Sequence, residues 1–275
     1  DSTLALARQN PAALLQLPRW LAQGKAALKR HITGNVELDV AHLPYNRELL
    51  QYLEQQKAAG RSVYLATAAD SALAHRIAAH LNLFTGVLAS DGSTNLAGSN
   101  KLAAFRQSFG DDFAYIGNAR PDLTLLQHCK EPMVANPTAG LRAALRAKGI
   151  VPVRSFNERV SPLRAWPKAI RIHQWAKNTL IFLPLLLAHV WDRALFAAAF
   201  IAFLSFGLCA SGTYIVNDLL DLEADRQHPR KRRRPFASGD LSAISGVFII
   251  VLFLAASVGL AVLLPDVINL ITPSL

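Results

Sequence analysis

Cysteine is scarce in this sequence, which has only Cys129 and Cys209 among its 275 residues. The two lie far apart in the chain, so the sequence contains neither the disulfide framework of a small secreted protein nor the paired cysteines of a zinc site. Such sparse use of cysteine is typical of proteins that work in a reducing cytoplasm.

Charged residues are missing from two long stretches in the second half of the chain. Each stretch can cross a hydrocarbon core of about 30 Å, because a helix rises about 1.5 Å per residue. An earlier stretch is also apolar, although Arg171, Lys177 and Pro184 interrupt it. A helix buried in a soluble core is the alternative interpretation of such runs. The sequence therefore predicts an all-α transmembrane region at 169–275, with spans at about 170–190, 194–216 and 242–264.

The positive charge of the chain, formally +10, is concentrated on either side of the predicted spans. A basic linker at 151–168 leads into the first span, and the run Arg230–Arg234 lies between the second and third spans. The connection around Asp192 is nearly neutral. Because basic loops stay in the cytoplasm, we expect a multi-pass protein of the inner (cytoplasmic) membrane with both basic segments inside. A basic run between membrane helices is a poor candidate for binding nucleic acid, and we expect no such partner.

The first half of the chain, residues 1–150, alternates short apolar strands with amphipathic helices. This order implies an α/β domain with a parallel sheet, whose functional residues lie at the carboxyl ends of the strands. The predicted strands are 62–66, 84–88, 113–117 and 133–135, and the predicted helices are 45–59, 71–83, 101–109, 121–128 and 138–148.

Four polar residues of this half stand at predicted strand ends or helix starts. Thr67 follows one strand, Lys101 opens a helix after the Gly/Ser/Asn-rich loop at 91–100, and Asn118 and Asp122 follow another strand. A hydroxyl, a lysine and an Asn/Asp pair at one edge of a sheet suit phosphate and magnesium. Taken singly, each has a structural alternative: Thr67 as a helix cap, Lys101 as a solvated charge and Asp122 as a partner of a helix dipole.

These residues resemble motifs of the haloacid dehalogenase superfamily of phosphohydrolases, in LATAAD (65–70), Lys101 and IGNARPD (116–122). The resemblance implies a Rossmann-like domain with a helical cap segment at 2–28. It also implies that Thr67 and Lys101 are catalytic and that Asn118 and Asp122 bind the metal. Asn118 departs from the family, which often has an acid there. The family's nucleophile motif, D-x-D-G-T, is absent: either it precedes Asp1, which we favour, or the domain has lost it. In both cases we expect these 275 residues alone to lack phosphatase activity.

Three aspartates cluster at the end of the second predicted span, in the stretch from Asn217 to Asp225. On a continuous helix, Asp218, Asp221 and Asp225 fall on one face. Their mutual repulsion at a membrane boundary calls for a cation, and Mg²⁺ bridging carboxylates to substrate phosphates is the usual solution. The alternative is an ordinary acidic helix end in water, although acids at a helix carboxyl terminus oppose the helix dipole.

The basic run that follows the aspartates carries arginines that can grip phosphate through two parallel hydrogen bonds. We expect Arg232 and Arg234 to hold the anionic substrate. Such a run can equally serve only to set the membrane topology, and the two roles are compatible.

The pattern N-D-x-x-D-x-x-x-D resembles the UbiA superfamily of intramembrane prenyltransferases, in which this first aspartate motif holds Mg²⁺ on a diphosphate. The stretches HQWAKN (173–178) and DRQHPRKRRRPFASG (225–239) are similar to polyprenyl-phosphate phosphoribosyltransferases. The resemblance implies that Asp218, Asp221 and Asp225 bind the metal, and that substrate contacts come from Asn217, Lys177 and Asn178. Family members have further spans and a second aspartate motif, which would follow Leu275.

The sequence thus predicts part of a Mg²⁺-dependent membrane transferase that acts on a diphosphate donor and a polyprenyl lipid, with a phosphatase-like domain in front. Transfer from phosphoribosyl pyrophosphate to polyprenyl phosphate is favoured. Two alternatives stay open. One is an aromatic prenyltransferase of quinone-type lipid synthesis, and the other is a phosphatase for which the spans are only an anchor. We expect the intact protein to be the enzyme and these 275 residues in isolation to be inactive.

Overall fold

The computed structural model describes residues 2–90, 99–110, 112–189 and 191–264. The chain divides into two compact units, Asp1–Arg159 and Val160–Leu275. The basic linker predicted at 151–168 is therefore not a separate segment. Its residues contribute strand Arg154–Phe156 to the first unit and helix Pro162–Ala169 to the second. Residues 91–98 of the predicted loop before Lys101 lie outside the described residues.

The chain begins with short helices, as the sequence predicts for residues 2–28. Pro11 and Gly24, the latter with a φ of 105°, interrupt the helical pattern. The apolar faces of these helices bury Leu6, Trp20 and Ile32 in a small core of their own. The segments are α1 (Ser2–Gln9), a 3-10 helix (Pro11–Gln16), α2 (Leu17–Ala22) and α3 (Lys25–Gly34).

Strands of the first unit pair in parallel, which confirms the predicted strand direction. The described strands form two sheets rather than the single predicted sheet, with the orders β1-β2 and β3-β4-β5. The strands are β1 (Tyr64–Asp70), β2 (Gly86–Ser90), β3 (Ala114–Gly117), β4 (Glu131–Ala135) and β5 (Arg154–Phe156). The sequence did not predict β5, because its three residues lie within a charged stretch and only Phe156 is buried.

Helices alternate with these strands, as predicted. A core of buried apolar side chains that includes Phe105, Leu126 and Leu141 holds β3 and β4 against the helices around them. Side-chain caps start two of the helices where the chain leaves a strand: Asp70 accepts a hydrogen bond from the Ala72 amide, and Thr138 accepts one from the Leu141 amide. The helices are α4 (Arg47–Ala58), α5 (Ser71–Leu81), α6 (Ser99–Phe109), α7 (Leu123–Leu126) and α8 (Ala139–Ala147).

The second unit opens with segments that are less regular than the predicted span at 170–190. Helix α9 (Pro162–Ala169) ends before Arg171, whose left-handed φ of 52° breaks the helical path. A 3-10 helix (Ile172–Phe182) and α10 (Leu183–Leu187) follow. Arg171 and Pro184, which interrupt the apolar pattern, lie at the junctions of these segments. Pro184 lies in the first turn of α10 because proline lacks an N–H and is tolerated there but not farther inside a helix.

Within the described ranges, two helices have the length and composition to cross a membrane. They are α11 (Arg193–Leu220) and α13 (Ala243–Val262), and they confirm the helices predicted at 194–216 and 242–264. Only 17% and 11% of their most apolar windows are buried, whereas the core helix of a soluble protein is mostly buried. Large side chains such as Phe206 and Phe248 remain exposed, as on a lipid-facing surface.

Small residues line the contact between α11 and α13, as is usual where membrane helices approach closely. The Ser205 hydroxyl donates to the Ser257 carbonyl at 2.9 Å, and the Ser257 hydroxyl donates to the Ser205 carbonyl at 2.8 Å. Gly212 meets the Leu254 side chain nearby. These buried reciprocal hydrogen bonds set the register of the two helices.

Trp175 attaches the irregular segment before α11 to that helix. Its indole N–H donates to the Ser211 hydroxyl at 2.9 Å, and that hydroxyl donates to the Ile170 carbonyl at 2.8 Å. The indole ring lies over Gly207, where an added Cβ would stand 2.8 Å from a ring carbon. Because no side chain fits there, Gly207 determines how closely this segment approaches α11.

We expect Gly207→Ala to destabilise the membrane unit by about 1–3 kcal/mol, the usual cost of overpacking. Gly259→Ala in α13 is the matched control, since nothing lies within 4 Å of its added Cβ. Alanine is the better helix former, so the control should be neutral or more stable by up to about 1 kcal/mol. Thermal unfolding in detergent micelles measures both variants. Equal melting temperatures would show that Trp175 does not pack on Gly207.

Candidate functional site

The aspartate cluster lies where α11 gives way to a second short helix, α12 (Leu222–Gln227). Asp221 stands between the two helices with a ψ of 7°, away from the helical value of about −42°. Asp218 and Asp225 are buried, with 3% and 1% of their surface exposed, whereas Asp221 is exposed. The irregularity at Asp221 thus separates it from the other two, which a continuous helix would have placed on one stripe with it.

The two buried aspartates share one arginine. Arg234 Nη1 donates to Asp225 Oδ2 at 2.8 Å and to Asp218 Oδ1 at 3.2 Å. Arg171 Nη2 donates to the same Asp218 oxygen at 2.7 Å. Lys231 Nζ lies 3.9 Å from Asp225 Oδ1. We call these five residues the aspartate pocket. Its two carboxylates face three cations, so the pocket is rich in positive charge.

One oxygen of the aspartate pocket has no hydrogen-bond partner among the described residues. Asp225 Oδ1 is buried, and its neighbour Lys231 is beyond hydrogen-bonding distance. Leaving a buried acceptor unbonded costs about 1–3 kcal/mol, so this oxygen is suited to a ligand from outside the chain. Mg²⁺ prefers oxygen ligands and commonly takes only one or two carboxylates together with substrate phosphates. The pair Asp218 and Asp225 fits that ion.

The described residues do not form a metal site with three carboxylates. Across the described ranges, no group of three or more His, Cys, Asp or Glu side chains is placed to hold a metal ion. This differs from the predicted triad of Asp218, Asp221 and Asp225, for the reason given above: Asp221 is displaced at the helix junction. The role of Asp221 as a metal ligand remains a prediction.

Arg171 is the member of the pocket that the sequence analysis missed. Its guanidinium also lies over the Tyr214 ring, 4.6 Å from the ring centroid, and this contact fixes its direction towards α11. A signal was present in the sequence, because an arginine inside an apolar stretch at a membrane is costly and marks a functional position. In the apolar pattern alone, Arg171 is only an interruption of the predicted span.

The other predicted substrate-binding residues lie around the pocket rather than in its ion pairs. Asn217, Lys177 and Arg232 are exposed, and Asn178 is half-buried. Of the basic run, Arg234 and Lys231 supply the contacts to the aspartates, and Arg232 lies at the surface. Contacts of the exposed residues with substrate remain predictions.

Arg234 is positioned by a compact turn that follows it. The Ser238 amide donates to the Arg234 carbonyl at 2.9 Å, and Arg226 Nε donates to the Ala237 carbonyl at 3.4 Å. The Phe236 ring packs against Gly246 of α13, where an added Cβ would stand 2.8 Å from it. The segment that follows the basic run is therefore held to α12 by a side-chain hydrogen bond and to α13 by packing.

A separate site lies in the first unit. Thr67, Lys101, Asn118 and Asp122 all line one cavity of about 1030 Å³, whose walls include residues of β1 and β3. The structure thus brings together the four polar residues that the sequence placed at strand ends. Thr67 Oγ1 accepts a hydrogen bond from the Ala69 amide at 3.0 Å within β1, so Thr67 does not cap a helix, and Asp70 is the cap of α5.

Asp122 is the centre of a buried polar cluster in that cavity. Tyr115 Oη donates to Asp122 Oδ1 at 2.8 Å, and Lys101 Nζ lies 3.4 Å from the same oxygen and 3.0 Å from Tyr115 Oη. The amides of Asn118 and Ala119 both donate to Oδ2 at 3.0 Å. Tyr115 was not among the predicted site residues, because in the sequence it is one apolar position of a buried strand.

These contacts set the charge state of the cluster. Burial raises the pKa of the Asp122 carboxyl, but the hydrogen bonds from Asn118, Ala119 and Tyr115 and the charge of Lys101 outweigh it, and the pKa lies below its ordinary value. Burial and the adjacent carboxylate raise the pKa of Tyr115. Both Asp122 oxygens are thus engaged by donors of the chain, which differs from the metal-ligand role predicted for Asn118 and Asp122. That role remains a prediction.

The lowered pKa of Asp122 predicts an acid-sensitive first unit. Above the ordinary aspartate pKa of about 4, the carboxylate is ionised whether folded or unfolded, and its native contacts contribute in full. As pH falls through the lower native pKa, the folded state takes up a proton and this contribution is lost. We expect Asp122→Asn to flatten the fall in melting temperature below pH about 4, while Asp112→Asn at an exposed position leaves it unchanged. An unaltered acid profile in Asp122→Asn would contradict this.

Comparison with protein families places UbiA-type sequence in the second unit. Residues 179–273 match the sequence model of the UbiA prenyltransferase family. The matched range contains Asp218, Asp225 and Arg234 of the aspartate pocket, and Arg171 precedes it. This agrees with the aspartate motif seen in the sequence and with the two apolar helices.

Curated relatives match different shares of the chain. An uncharacterized protein, y4nM, of Sinorhizobium fredii is 38% identical over 259 residues, which cover 93% of this chain and 50% of that protein. Nodulation protein NoeC of Azorhizobium caulinodans is 43% identical over 94 residues, 34% of this chain and 31% of NoeC. Decaprenyl-phosphate phosphoribosyltransferase of Corynebacterium glutamicum is 40% identical over 102 residues, 36% of this chain and 31% of that enzyme. The chain spans half the length of y4nM and about a third of the other two.

Proposed function

We propose that this chain carries the donor half-site of a Mg²⁺-dependent membrane transferase that ionises a diphosphate substrate. The favoured reaction transfers 5-phosphoribose from phosphoribosyl pyrophosphate to a polyprenyl phosphate. The observation that carries this proposal is the aspartate pocket, where two buried carboxylates at the end of an apolar helix stand among three cations. A membrane anchor has no need of such a cluster, so the pocket argues for chemistry at the lipid boundary.

The residues of the pocket have complementary tasks in this reaction. Bound Mg²⁺ would neutralise the charge that develops on the departing pyrophosphate. Asp218 and the unbonded Asp225 Oδ1 supply oxygen ligands. Arg171 and Arg234 donate to phosphate oxygens through planar guanidinium groups, which suit that geometry better than a lysine. These donors would stabilise the leaving group as its bond to the sugar breaks.

The choice of donor rests on the relatives rather than on the pocket. A decaprenyl-phosphate phosphoribosyltransferase is 40% identical over 102 residues, and a second, from Mycolicibacterium smegmatis, is 47% identical over 77 residues. We take this as support for a phosphoribosyl donor over the allylic diphosphate of an aromatic prenyltransferase. We place the basic loop at 221–242 on the cytoplasmic side of the inner membrane, following the positive-inside rule.

Labelled donors test the transferase proposal. The intact protein is purified and reconstituted in lipid nanodiscs, then incubated either with phosphoribosyl pyrophosphate and polyprenyl phosphate or with an allylic diphosphate and an aromatic acceptor. We expect labelled lipid from the first pair only, and no product once EDTA has removed the metal. Product from the second pair alone would establish the aromatic prenyltransferase instead. If neither pair yields a metal-dependent product, the proposed transferase is excluded.

For the first unit we propose a haloacid dehalogenase-type domain that acts after the transfer and removes the 5-phosphate from the phosphoribosyl lipid. Support comes from the cavity that gathers Thr67, Lys101 and Asp122, and from a relative that matches 93% of the chain and therefore extends over both units. Phosphate release from a 5-phosphoribosyl lipid tests this coupling in the intact protein. If Asp225→Ala, which removes a buried carboxylate of the aspartate pocket, spares phosphatase output and phenotype, the membrane part is only an anchor.

A further inference from the structure

The cations of the aspartate pocket are paired with its own carboxylates. Arg171 and Arg234 both donate to Asp218 Oδ1, at 2.7 and 3.2 Å, and Arg234 also donates to Asp225 Oδ2 at 2.8 Å. The side chains of both arginines are mostly buried, with 26% and 29% exposed, and both aspartates are almost fully buried. The groups that a metal and a diphosphate would each require are therefore bonded to one another.

We propose that Arg171 and Arg234 are exchangeable counter-ions that make Mg²⁺ and diphosphate bind cooperatively. In the empty pocket they neutralise Asp218 and Asp225. When both ligands arrive, the carboxylates turn to the metal and the guanidinium groups turn to the phosphate oxygens. This inference rests on the proposed function, because it describes how the same pocket fills.

The charges of the aspartate pocket disfavour the binding of either ligand alone. Mg²⁺ alone must break the charge-assisted hydrogen bonds to Asp218 and Asp225, and it leaves two half-buried arginines facing a divalent cation. A diphosphate alone must take those arginines away from two buried carboxylates, which then face its own negative charge. With both ligands present, every broken ion pair is replaced by another of the same kind.

The proposed exchange predicts that Mg²⁺ and diphosphate each strengthen the binding of the other. Coupling between two ligands is reciprocal, so the diphosphate must tighten Mg²⁺ binding by the factor by which Mg²⁺ tightens diphosphate binding. We expect a factor of about 10 or more, within the usual range of coupling between sites. Removing one arginine should also tighten the binding of Mg²⁺ alone, because the carboxylate it held becomes available. A residue that only binds phosphate would have no such effect.

The test is calorimetric titration of the protein in nanodiscs with MgCl₂, with inorganic pyrophosphate and with each ligand in the presence of the other. Arg171→Gln and Arg234→Gln are compared with Arg193→Gln, which removes the same charge from the opposite end of α11. We expect wild type and Arg193→Gln to show the full coupling. Arg171→Gln and Arg234→Gln should bind Mg²⁺ alone several-fold more tightly and lose most of the coupling.

The outcomes separate this inference from the proposed function. If wild type binds Mg²⁺ and pyrophosphate with no coupling, or if both variants bind Mg²⁺ alone more weakly, the counter-ion exchange is overturned while the diphosphate site stands. If wild type binds neither ligand under any condition, the proposed function itself fails. Should one variant not fold, the other and the wild-type coupling decide the question by themselves.

Discussion

Asp225→Asn is expected to lower kcat/KM of the proposed transferase by about 10²- to 10³-fold, the usual loss when one preorganised charge-stabilising group is removed from an active site. The amide keeps the size of the side chain and can still accept from Arg234 at its carbonyl oxygen. It removes the negative charge, and it removes one of the two oxygens through which the pocket would hold a metal. Asp218→Asn should have an effect of the same order.

The helix junction allows the aspartates to be ranked. Because Asp221 is exposed and separate from the shared arginine, we expect Asp221→Asn to cost less than Asp218→Asn or Asp225→Asn. Asp192→Asn is the matched control, since Asp192 caps the opposite end of α11 through the amides of Ala194 and Leu195, and asparagine caps equally well. Steady-state kinetics with labelled donor measure all four variants. Equal losses of kcat/KM at the three motif aspartates would contradict this ranking and would support the three-aspartate stripe predicted from the sequence.

Asp122→Ala is expected to give the largest loss of stability, about 3–5 kcal/mol, because removing one partner of a buried ion pair leaves the other charge uncompensated. Lys101 is 6% exposed and would keep only the Tyr115 hydroxyl of the contacts described here. The Asn118 and Ala119 amides would also lose their acceptor. The substitution therefore leaves several buried donors without their acceptor at once.

Hydrogen–deuterium exchange reports this effect locally, since the peptides of β3 and α7 surround the cluster. Asp112→Ala is the control: Asp112 pairs with Lys130 at 2.8 Å, but both side chains are exposed, and such pairs contribute only about 0–1 kcal/mol. A further variant, Asp122→Leu with Lys101→Met, should recover the part of the loss that comes from the unpaired Lys101, because apolar residues can replace a buried ion pair at little cost. The Asn118 and Ala119 amides remain without their acceptor in this variant. Unchanged protection in Asp122→Ala would show that the cluster does not stabilise the domain.

The sequence predicts best the features that depend on residues close together along the chain. The helices α11 and α13 follow from long runs without charge, since a polar backbone in lipid must close its hydrogen bonds within the helix. The parallel pairing of β1 with β2, and of β3 with β4, follows from strands that alternate with helices. The span predicted at 170–190 was less successful, because average hydropathy does not register the left-handed turn at Arg171 or the helix start at Pro184.

The sequence by itself determined which functional groups are present and in what order. These are an aspartate motif with a basic run after an apolar helix, and a threonine, a lysine and an aspartate at strand ends or helix starts. Only the tertiary structure decided how these groups share their charges. It brought Arg171 onto Asp218 across 47 positions of the chain and set Asp221 apart. It also surrounded Asp122 with donors that include Tyr115 of β3, the Asn118 amide just after β3, and Lys101 of α6. Electrostatic partnership depends on distance in space and on burial, and neither can be read from spacing along a chain.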